Sequence, residues 1–372
     1  MRPIYLDHNA TTPVRRPVAD AMRDAMDKCG NASSVHASGR RARAAIDDAR
    51  EAVAALVGAS AADVVFTSGG TEANNLALCA TDSRRVLVSA VEHLSVLQAH
   101  GHADVCPVDE EGRIELDALR QWLDSAGTPA LVSVMLANNE TGVIQPLRQV
   151  AEICQGANAL LHCDAVQAAG KIDVDWRELG ADMLSLSAHK IGGPQGVGAL
   201  IVNQRAGPRA IISGGGQERG RRAGTENLPG IVGFGVAADI AANANSDAAR
   251  LQAMRGRIED RISEFAADAR FHGAGAPRLG NTSCIHMPGV LAETQVMALD
   301  LEGIMVSAGS ACSSGKVRAS HVLLAMGIAA DRADQAIRVS LGWDSEDQDI
   351  DEFVAAWRRI YERLGRARAS AA

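Results

Sequence analysis

The sequence has few aromatic residues, no long apolar segment and no apolar signal-peptide core. Aromatic side chains make up only 3% of the chain, whereas alanine and glycine are abundant, as suits close-packed helices and tight turns around a sheet. No segment reaches the roughly 18 consecutive apolar residues that a membrane-spanning helix needs. The N-terminal sequence M-R-P-I-Y-L-D-H-N-A-T-T is too polar for a secretory signal. We therefore expect a cytoplasmic protein without a membrane partner.

The cysteines form no C-x-x-C pair and no spacing typical of a zinc site. Their number is odd and their spacing is irregular, so we predict neither a disulfide framework nor an intrinsic metal site. Free cysteines are usually small buried residues, and this usage is typical of a reducing compartment. The seven residues are Cys29, Cys79, Cys106, Cys154, Cys163, Cys284 and Cys312.

Charge and length narrow the class of protein further. The net charge is −8 and the pI is near 5.7, which argues against a nucleic-acid partner because such proteins usually present a basic surface. The 372 residues and the 47% hydrophobic content are enough for a large core. On length alone, the chain suits about two domains.

From about residue 60, short runs rich in β-branched residues alternate with segments of helical spacing. This alternation predicts a mainly parallel sheet that helices cover on both faces. In such sheets, ligands bind at the carboxyl ends of the strands. The predicted strands are 64–66, 86–89, 130–136, 160–163, 183–186 and 198–202, and the predicted helices are 72–80, 94–101, 116–122 and 147–155.

After about residue 246 the pattern changes to a long helical stretch, short strands, a Gly/Ser-rich loop and a final helix. The long helix is predicted at 248–267 and the final helix at 349–366. We interpret this part as a smaller α+β domain on which the extreme N-terminus packs. The predicted division is a large α/β domain at 13–247 and a small domain made of 1–12 and 248–372.

A lysine stands among small residues in S-L-S-A-H-K-I-G-G-P-Q-G-V-G at 185–198, directly after a predicted strand. A lysine that forms a Schiff base must be partly desolvated so that its amine is neutral and nucleophilic. The glycines allow the backbone to approach a bound cofactor. A turn that carries a surface lysine explains this motif equally well when the motif is considered alone.

Two further motifs also follow predicted strands. The segment F-T-S-G-G-T-E-A-N-N-L-A at 66–77 predicts a Gly-rich turn and a helix start, where backbone N–H groups and Thr71 suit a phosphate. The segment H-C-D-A-V-Q-A-A-G-K at 162–171 offers Asp164, an acid that can keep a pyridine nitrogen protonated. Gln167 lies three residues after Asp164, and this spacing would place both side chains on the same side of a helical turn. Helix capping explains the polar residues of either motif taken alone.

Three single residues complete the candidates. Cys312 lies in S-A-G-S-A-C-S-S-G at 307–315, outside any periodic core pattern, which is typical of an accessible thiol but also of a small residue in a turn. His93 follows a predicted strand, where it can stack on a ligand, transfer protons or cap a helix. Arg338 lies on a predicted strand, where a guanidinium can bind an α-carboxylate or form a structural ion pair.

Taken together, these segments resemble the cysteine desulfurases of the NifS/IscS group, within the class V aminotransferase superfamily. The resemblance runs nearly end to end and keeps the family order. It rests on Y-L-D-H-N-A-T-T (5–12), N-A-S-S-V-H (31–36), S-G-G-T-E-A-N-N (68–75), E-H (92–93), N-N-E-T-G-V-I-Q-P (138–146), D-A-V-Q-A-A-G-K (164–171), S-A-H-K (187–190), G-G-G-Q-E-R-G-R-R-A-G-T-E-N (214–227), G-S-A-C-S-S-G (309–315) and A-S-H-V-L-L-A-M-G (319–327).

The resemblance implies a pyridoxal-phosphate-dependent transferase of fold type I, like aspartate aminotransferase, with a mainly parallel seven-stranded sheet in the large domain. The implied reaction converts L-cysteine to L-alanine and leaves the sulfur as a persulfide on Cys312. The sulfur would serve iron–sulfur cluster assembly or another delivery route. A homodimer and a sulfur-acceptor or scaffold protein are the implied partners, with Cys312 as a transient contact for a cluster.

The family's functional residues carry over position by position. Lys190 matches the Schiff-base lysine, Asp164 the partner of the pyridine nitrogen, and Gln167 the partner of the ring hydroxyl. His93 matches a residue that stacks on the ring and transfers protons, and Cys312 matches the sulfur acceptor. The matched phosphate contacts are Gly70, Thr71, Ser187, His189 and, from the neighbouring subunit, Thr225. The matched contacts of the substrate carboxylate are Asn139 and Arg338.

The sequence departs from the family pattern at two positions. His8 stands where Asn is commoner, and Gln195 where Lys is commoner. Neither residue is assigned a chemical step, so we expect altered local contacts and retained activity. Two other hypotheses stay open: an aminotransferase or β-eliminating lyase of the same superfamily, which would not need Cys312, and a catalytically silent partner protein that keeps the fold.

Overall fold

The computed structural model describes residues 2–79, 81, 85–126, 129–207, 209–243, 245–309 and 319–365. Its strands are β1 (Ile4–Tyr5), β2 (Val64–Thr67), β3 (Arg85–Ser89), β4 (Asp104–Cys106), β5 (Ala130–Ser133), β6 (Leu160–Asp164), β7 (Met183–Ser187), β8 (Gly198–Val202), β9 (Arg270–Phe271), β10 (Thr282–His286), β11 (Ile304–Met305), β12 (Ser307–Ala308) and β13 (Ala336–Ser340).

The helices alternate with these strands in the first two thirds of the chain and dominate the rest. They are α1 (Arg16–Met26), α2 (Ala37–Leu56), α3 (Gly70–Cys79), α4 (Leu94–Leu97), α5 (Leu116–Ala126), α6 (Leu147–Gly156), α7 (Trp176–Leu179), α8 (Leu228–Ala242), α9 (Asn245–Phe265), α10 (Ala292–Leu301), α11 (His321–Ala325), α12 (Ala330–Ala333) and α13 (Asp347–Ile360).

The principal sheet has seven strands in the order β2-β8-β7-β6-β5-β3-β4. Strand β8 runs antiparallel to both of its neighbours, and all other adjacent pairs are parallel. The central strands are buried on both faces, as the apolar runs in the sequence predict. The predicted fold class, with its mainly parallel seven-stranded sheet, is therefore confirmed.

Small residues allow the helices on one face of this sheet to approach closely. Helix α8 packs on α2, and a Cβ atom at Gly235 would lie only 2.7 Å from Ala49 Cα. Alanine and glycine thus fill positions where larger side chains would separate the two helices. This contact gives the abundance of alanine and glycine in the sequence a structural reason.

A second sheet and a second hydrophobic core lie in the C-terminal third. Strands β12-β13-β10-β9 form an antiparallel sheet, and β1 pairs in parallel with β11. Phe353 and Trp357 of α13 are fully buried in the second core, which is separate from that of the principal sheet. We propose residues 13–247 as the large domain and residues 1–12 with 248–372 as the small one, since the N-terminal strand joins the C-terminal third.

Three elements differ from the sequence prediction. The helix predicted at 94–101 ends at Leu97 and is only one turn long. The strand predicted at 130–136 ends at Ser133, although Val134 and Leu136 still donate backbone hydrogen bonds to the carbonyls of β6. Strand β4 was not predicted, because an edge strand of three residues with two exposed side chains carries little apolar pattern.

A buried ion pair fixes the loop before α8. Glu218 and Arg219 both have positive φ angles, of 47° and 57°, which side-chain-bearing residues rarely adopt. The Glu218 carboxylate accepts hydrogen bonds from both terminal nitrogens of Arg50, at 2.8 and 2.9 Å, and from the Phe66 N–H at 3.0 Å. These contacts hold the loop in its strained conformation and attach it to β2.

Replacing Glu218 by Ala should therefore be strongly destabilising. The variant would leave the buried Arg50 guanidinium with only the exposed Asp47 carboxylate, 3.9 Å from its Nε, as a counter-ion. We therefore expect a loss of about 3–5 kcal/mol in the free energy of unfolding. Urea unfolding of Glu218→Ala beside the exposed-site control Glu264→Ala measures it. Equal stability of the two variants would contradict the role that we assign to the ion pair.

Candidate active site

A cavity of about 380 Å³ lies at the carboxyl ends of the parallel strands. Ten of the twelve predicted site residues line it: Gly70, Thr71, His93, Asn139, Asp164, Gln167, Ser187, His189, Lys190 and Arg338. Thr225 is exposed and lines a different cavity, together with Glu218 and Arg222. Cys312 lies outside the described residues.

Lys190 lies on a short turn that follows β7. Its Nζ donates hydrogen bonds to the backbone carbonyls of Asn9, at 2.5 Å, and Ala10, at 2.8 Å. Burial, with a smaller contribution from the nearby Arg338 guanidinium, lowers the pKa of Lys190 to about 8. The amine is therefore neutral in an appreciable fraction of molecules near neutral pH, as a nucleophilic lysine requires. The surface lysine considered from the sequence is not what the structure contains.

Asp164 ends β6 and is 5% exposed. One carboxylate oxygen accepts the backbone N–H of Val166 at 3.0 Å, and the other accepts Asn74 Nδ2 at 2.8 Å. The first contact closes a turn and is not the helix cap considered from the sequence, because no helix begins between residues 165 and 175. The carboxylate also lines the cavity, so one side chain both stabilises this turn and contributes to the site.

Gln167 lies beside Asp164 on the cavity wall, as the spacing of the two residues predicts. Its Nε2 donates to the Asn9 carbonyl at 2.9 Å, and its Oε1 accepts from Lys171 Nζ at 2.7 Å. Burial lowers the pKa of Lys171 well below its ordinary value, with a smaller contribution from Lys190. The Asn9 carbonyl fixes the orientation of the amide, because a carbonyl oxygen can only accept.

His93 directly precedes α4, and its Nδ1 accepts the backbone N–H of Ser95 at 3.1 Å. The helix-capping interpretation of this residue is therefore correct, and its ring is also open to the cavity. Burial lowers the pKa of His93, which favours the neutral imidazole.

Arg338 lies on β13 and combines both roles considered from the sequence. Its Nη2 donates to Asp7 Oδ1 at 2.7 Å, and its Nη1 donates to the Asn139 carbonyl at 3.1 Å. Its Nε is buried and has no hydrogen-bond partner among the described residues. A guanidinium at the cavity wall suits an anionic ligand such as a carboxylate.

The opposite end of the cavity is suited to a phosphate. Helix α3 begins at Gly70, so its first backbone N–H groups point to this end, which adjoins a second cavity lined by Thr71, Ser187 and His189. A Cβ atom at Gly70 would lie 2.9 Å from a methyl group of Val166, so a larger residue there would displace the Val166 side chain. Burial lowers the pKa of His189 to about 4, and its neutral ring can donate a hydrogen bond to an anion.

Two buried acids and one N-terminal residue were not among the predicted site residues. Burial raises the pKa of Glu140 to about 7 and that of Glu92 well above its ordinary value. Glu140 and Asn9 line the cavity. The quoted motifs N-N-E-T-G and Y-L-D-H-N contain these two residues, but sequence patterns alone give no measure of burial.

The two departures from the family pattern have local contacts. His8 is buried, lies edge-on to Tyr5 with ring centroids 5.1 Å apart, and places Nε2 3.2 Å from an Asp344 carboxylate oxygen. Gln195 donates to Thr11 Oγ1 at 3.4 Å on the exposed rim. Neither contacts Lys190 or Asp164 through a hydrogen bond in the described part of the chain.

The chain belongs to the aminotransferase class-V family, whose sequence pattern matches residues 4–353. Among its relatives, "Cysteine desulfurase" of Sinorhizobium fredii is 43% identical, with 99% of each chain covered. "Cysteine desulfurase IscS 1" of Archaeoglobus fulgidus is 41% identical, with 97% of each chain covered. The solved NifS-like protein of Rickettsia africae superposes with a TM-score of 0.91 at 35% identity, covering 97% of this chain and all of the other.

This family depends on pyridoxal phosphate, and the residues present fit that group. The cavity offers a lysine with a lowered pKa, a buried carboxylate and a helix N-terminus, which suit an aldehyde, a pyridine nitrogen and a phosphate respectively. In the described ranges we find no cluster of three or more residues able to hold a metal ion. None of the helices within those ranges is long and apolar enough to cross a membrane.

The lowered pKa of Lys190 is directly measurable. Competitive acetylation of the protein without cofactor should show the Lys190 amine gaining reactivity as the pH rises through about 8, because burial disfavours the ammonium form. Peptide mapping with the exposed Lys28 as internal reference gives the midpoint. A midpoint near the ordinary lysine value of about 10.4 would contradict the described environment.

Proposed function

We propose that this protein is a cysteine desulfurase that converts L-cysteine to L-alanine and carries the sulfur as a persulfide on Cys312. The observation that carries the proposal is that one cavity holds Lys190, Asp164 and Arg338, the lysine, acid and guanidinium that this chemistry needs. The near-complete match to relatives that bear this name supports it.

We assign the cofactor contacts to side chains of the cavity. Asp164 would bind the pyridine nitrogen, Gln167 the ring hydroxyl, and His93 the face of the ring. Pyridoxal phosphate, when bound, supplies an aldehyde for Lys190 and a ring that withdraws electrons from the substrate α-carbon. The proposed phosphate contacts are Gly70, Thr71, Ser187, His189 and Thr225 of the partner subunit.

The substrate carboxylate would bind Arg338 and Asn139. The position of both residues on the cavity wall supports this assignment, because a guanidinium can bind a carboxylate through its N–H groups. Asp7 and Ser307 support the guanidinium from behind, since Asp7 accepts from both Arg338 and Ser307 Oγ. The carboxylate then fixes the position of the α-carbon relative to Lys190.

Lys190 is the proposed base for the α-proton. Its pKa near 8 makes the neutral amine available without removing its capacity to hold a proton. The carbonyls of Asn9 and Ala10 hold the ammonium form, and His93 is the second proposed proton carrier. The neutral state of His93 is favoured by burial.

The sulfur step would use Cys312, on the evidence of the G-S-A-C-S-S-G segment. The thiolate attacks the substrate sulfur, an S–S bond forms, and the C–S bond breaks with its electron pair kept on the carbon fragment. That fragment takes up protons and leaves as alanine. The six other cysteines are free thiols, of which Cys29 and Cys79 are exposed and four are buried. A cytoplasmic location suits thiol chemistry of this kind.

Replacing Cys312 tests this proposal most directly. Cys312→Ser should keep the fold and the cofactor but lose sulfur transfer, because a hydroxyl cannot accept sulfur as a persulfide. Single turnover with labelled cysteine, followed by mass analysis of the trapped persulfide, measures the outcome, with Cys29→Ser as a control that retains transfer. Label on Cys284 or Cys163, or undiminished alanine formation without Cys312, would instead favour a lyase.

We also propose a homodimer whose active sites are completed by Thr225 of the partner subunit. Lys190→Ala and Thr225→Ala should each impair the enzyme, but mixed subunits should regain activity. Random exchange restores about one quarter of the sites, since half of the dimers are hybrids and each hybrid regains one of its two sites. Steady-state assays before and after exchange measure this gain. A fully active monomer in sedimentation experiments would refute the shared site.

The persulfide would pass to an acceptor or iron–sulfur scaffold protein. A cysteine within a Gly/Ser-rich sequence suits transfer to a second thiol.

A further inference from the structure

Two groups of a single residue, Ser95, lie within hydrogen-bonding distance of the Nδ1 atom of His93. The backbone N–H of Ser95 lies 3.1 Å from it, and the Ser95 hydroxyl oxygen lies 2.7 Å from it. The backbone group can only donate. It therefore favours an unprotonated Nδ1. The hydroxyl can donate or accept, so its direction decides whether it reinforces or opposes that state of the neutral imidazole.

Asn74 decides the direction of the Ser95 hydroxyl. Its Nδ2 lies 2.8 Å from Asp164 Oδ2 and 2.8 Å from Ser95 Oγ. A carboxylate accepts only, so the amide must turn its NH₂ group, and not its oxygen, toward Asp164. The second N–H of the same group then points at Ser95 Oγ, which becomes an acceptor on that side.

The buried environment of Asn74 supports this orientation. Its Oδ1 is buried and has no hydrogen-bond partner within the described ranges. A flipped amide would place that oxygen against the Asp164 carboxylate, where two acceptors would repel each other. The orientation with one unsatisfied oxygen therefore costs less than the alternative.

The Ser95 hydroxyl accepts from Asn74, so its own hydrogen is free to point at His93 Nδ1. That nitrogen then accepts from both Ser95 groups and carries no proton. We propose that Ser95 is a positioning residue which, through Asp164 and Asn74, holds His93 as the neutral imidazole with its proton on Nε2. The inferred tautomer does not depend on the proposed function, but the role of the His93 ring in the reaction rests on it.

The arrangement has a consequence for the chemistry in the cavity. Burial has the largest effect on the pKa of His93 and lowers it. Among the nearby charged or titratable groups, Asp164 raises this pKa, whereas Lys190 and His321 lower it. The contact with Ser95 adds to the preference for the neutral form. A neutral ring can stack on a protonated pyridine without charge repulsion, and Nε2–H remains as the donor for the substrate.

Selective ¹⁵N-histidine NMR of the deuterated holoenzyme tests the proposal, with His93→Gln to assign the signals. The wild type should show an unprotonated Nδ1 and a protonated Nε2 at neutral pH. In Ser95→Ala the His93 pKa should rise by about half a unit to one unit, and a measurable fraction should shift its proton to Nδ1, since one donor is lost. Ser95→Thr, which keeps the hydroxyl, should restore the wild-type signals.

The control variant is Ser263→Ala, which removes a hydroxyl on α9 far from the cavity. It should leave the His93 signals and the pH profile of kcat/KM unchanged, while Ser95→Ala should move the acidic limb of that profile upward. A wild-type signal with the proton on Nδ1 overturns the proposal. So does an unchanged pKa and tautomer in Ser95→Ala, because the backbone cap alone would then account for the geometry.

The NMR measurement needs no turnover, so it separates this inference from the proposed function. The predicted tautomer in an enzyme that fails to desulfurate cysteine would support the inference and refute the function. A Nδ1-protonated ring in an active desulfurase would refute the inference and leave the function intact.

Discussion

The candidate active site depends on one constraint, the shared direction of the strands in the principal sheet. Strands β6 and β7 pair in parallel, with Asp164 opposite Ser185, so their carboxyl ends lie at the same edge. Lys190 follows β7 by three residues and therefore reaches the cavity that Asp164 enters from β6. Strand β2 has the same direction as β7, because β8 runs against both, and it places Gly70 at the same edge.

The N-terminal segment supplies further contacts to the side chains that the principal sheet brings to the cavity. It pairs with β11 in the C-terminal third and then passes over the cavity, where Asp7 contacts Arg338 and the carbonyl of Asn9 contacts Lys190. Neutral carbonyls hold the Lys190 ammonium, and no carboxylate hydrogen-bonds to it within the described residues. Coulombic support from Asp7 and Asp164 is therefore smaller than the effect of burial, which lowers the pKa of Lys190 to about 8.

Elements with a long apolar pattern were predicted from the sequence. Elements whose bounds depend on packing with the rest of the chain were missed or given the wrong length. The six predicted strands all exist, because strands that are buried on both faces are continuous apolar runs. Strand β4 exposes two of its three side chains, so no apolar run marks it. Helix α4 stops after Leu97 although the helical spacing of the sequence continues to residue 101. The ten cavity residues were predicted through the resemblance of their motifs to the family. Nine of them lie at or just after the end of a strand, and Arg338 lies within β13.

The sequence by itself determined which chemical groups follow each strand, and so the identity of the lysine, acid, amide and guanidinium at the site. Only the tertiary structure decided their protonation and orientation. Lys190 meets Asn9 across 181 residues of chain, and Arg338 meets Asp7 across 331. The His93 ring is oriented through Ser95 and Asn74 by a carboxylate on another strand. Burial and hydrogen bonding set these states, and both arise from neighbours that local sequence patterns do not specify.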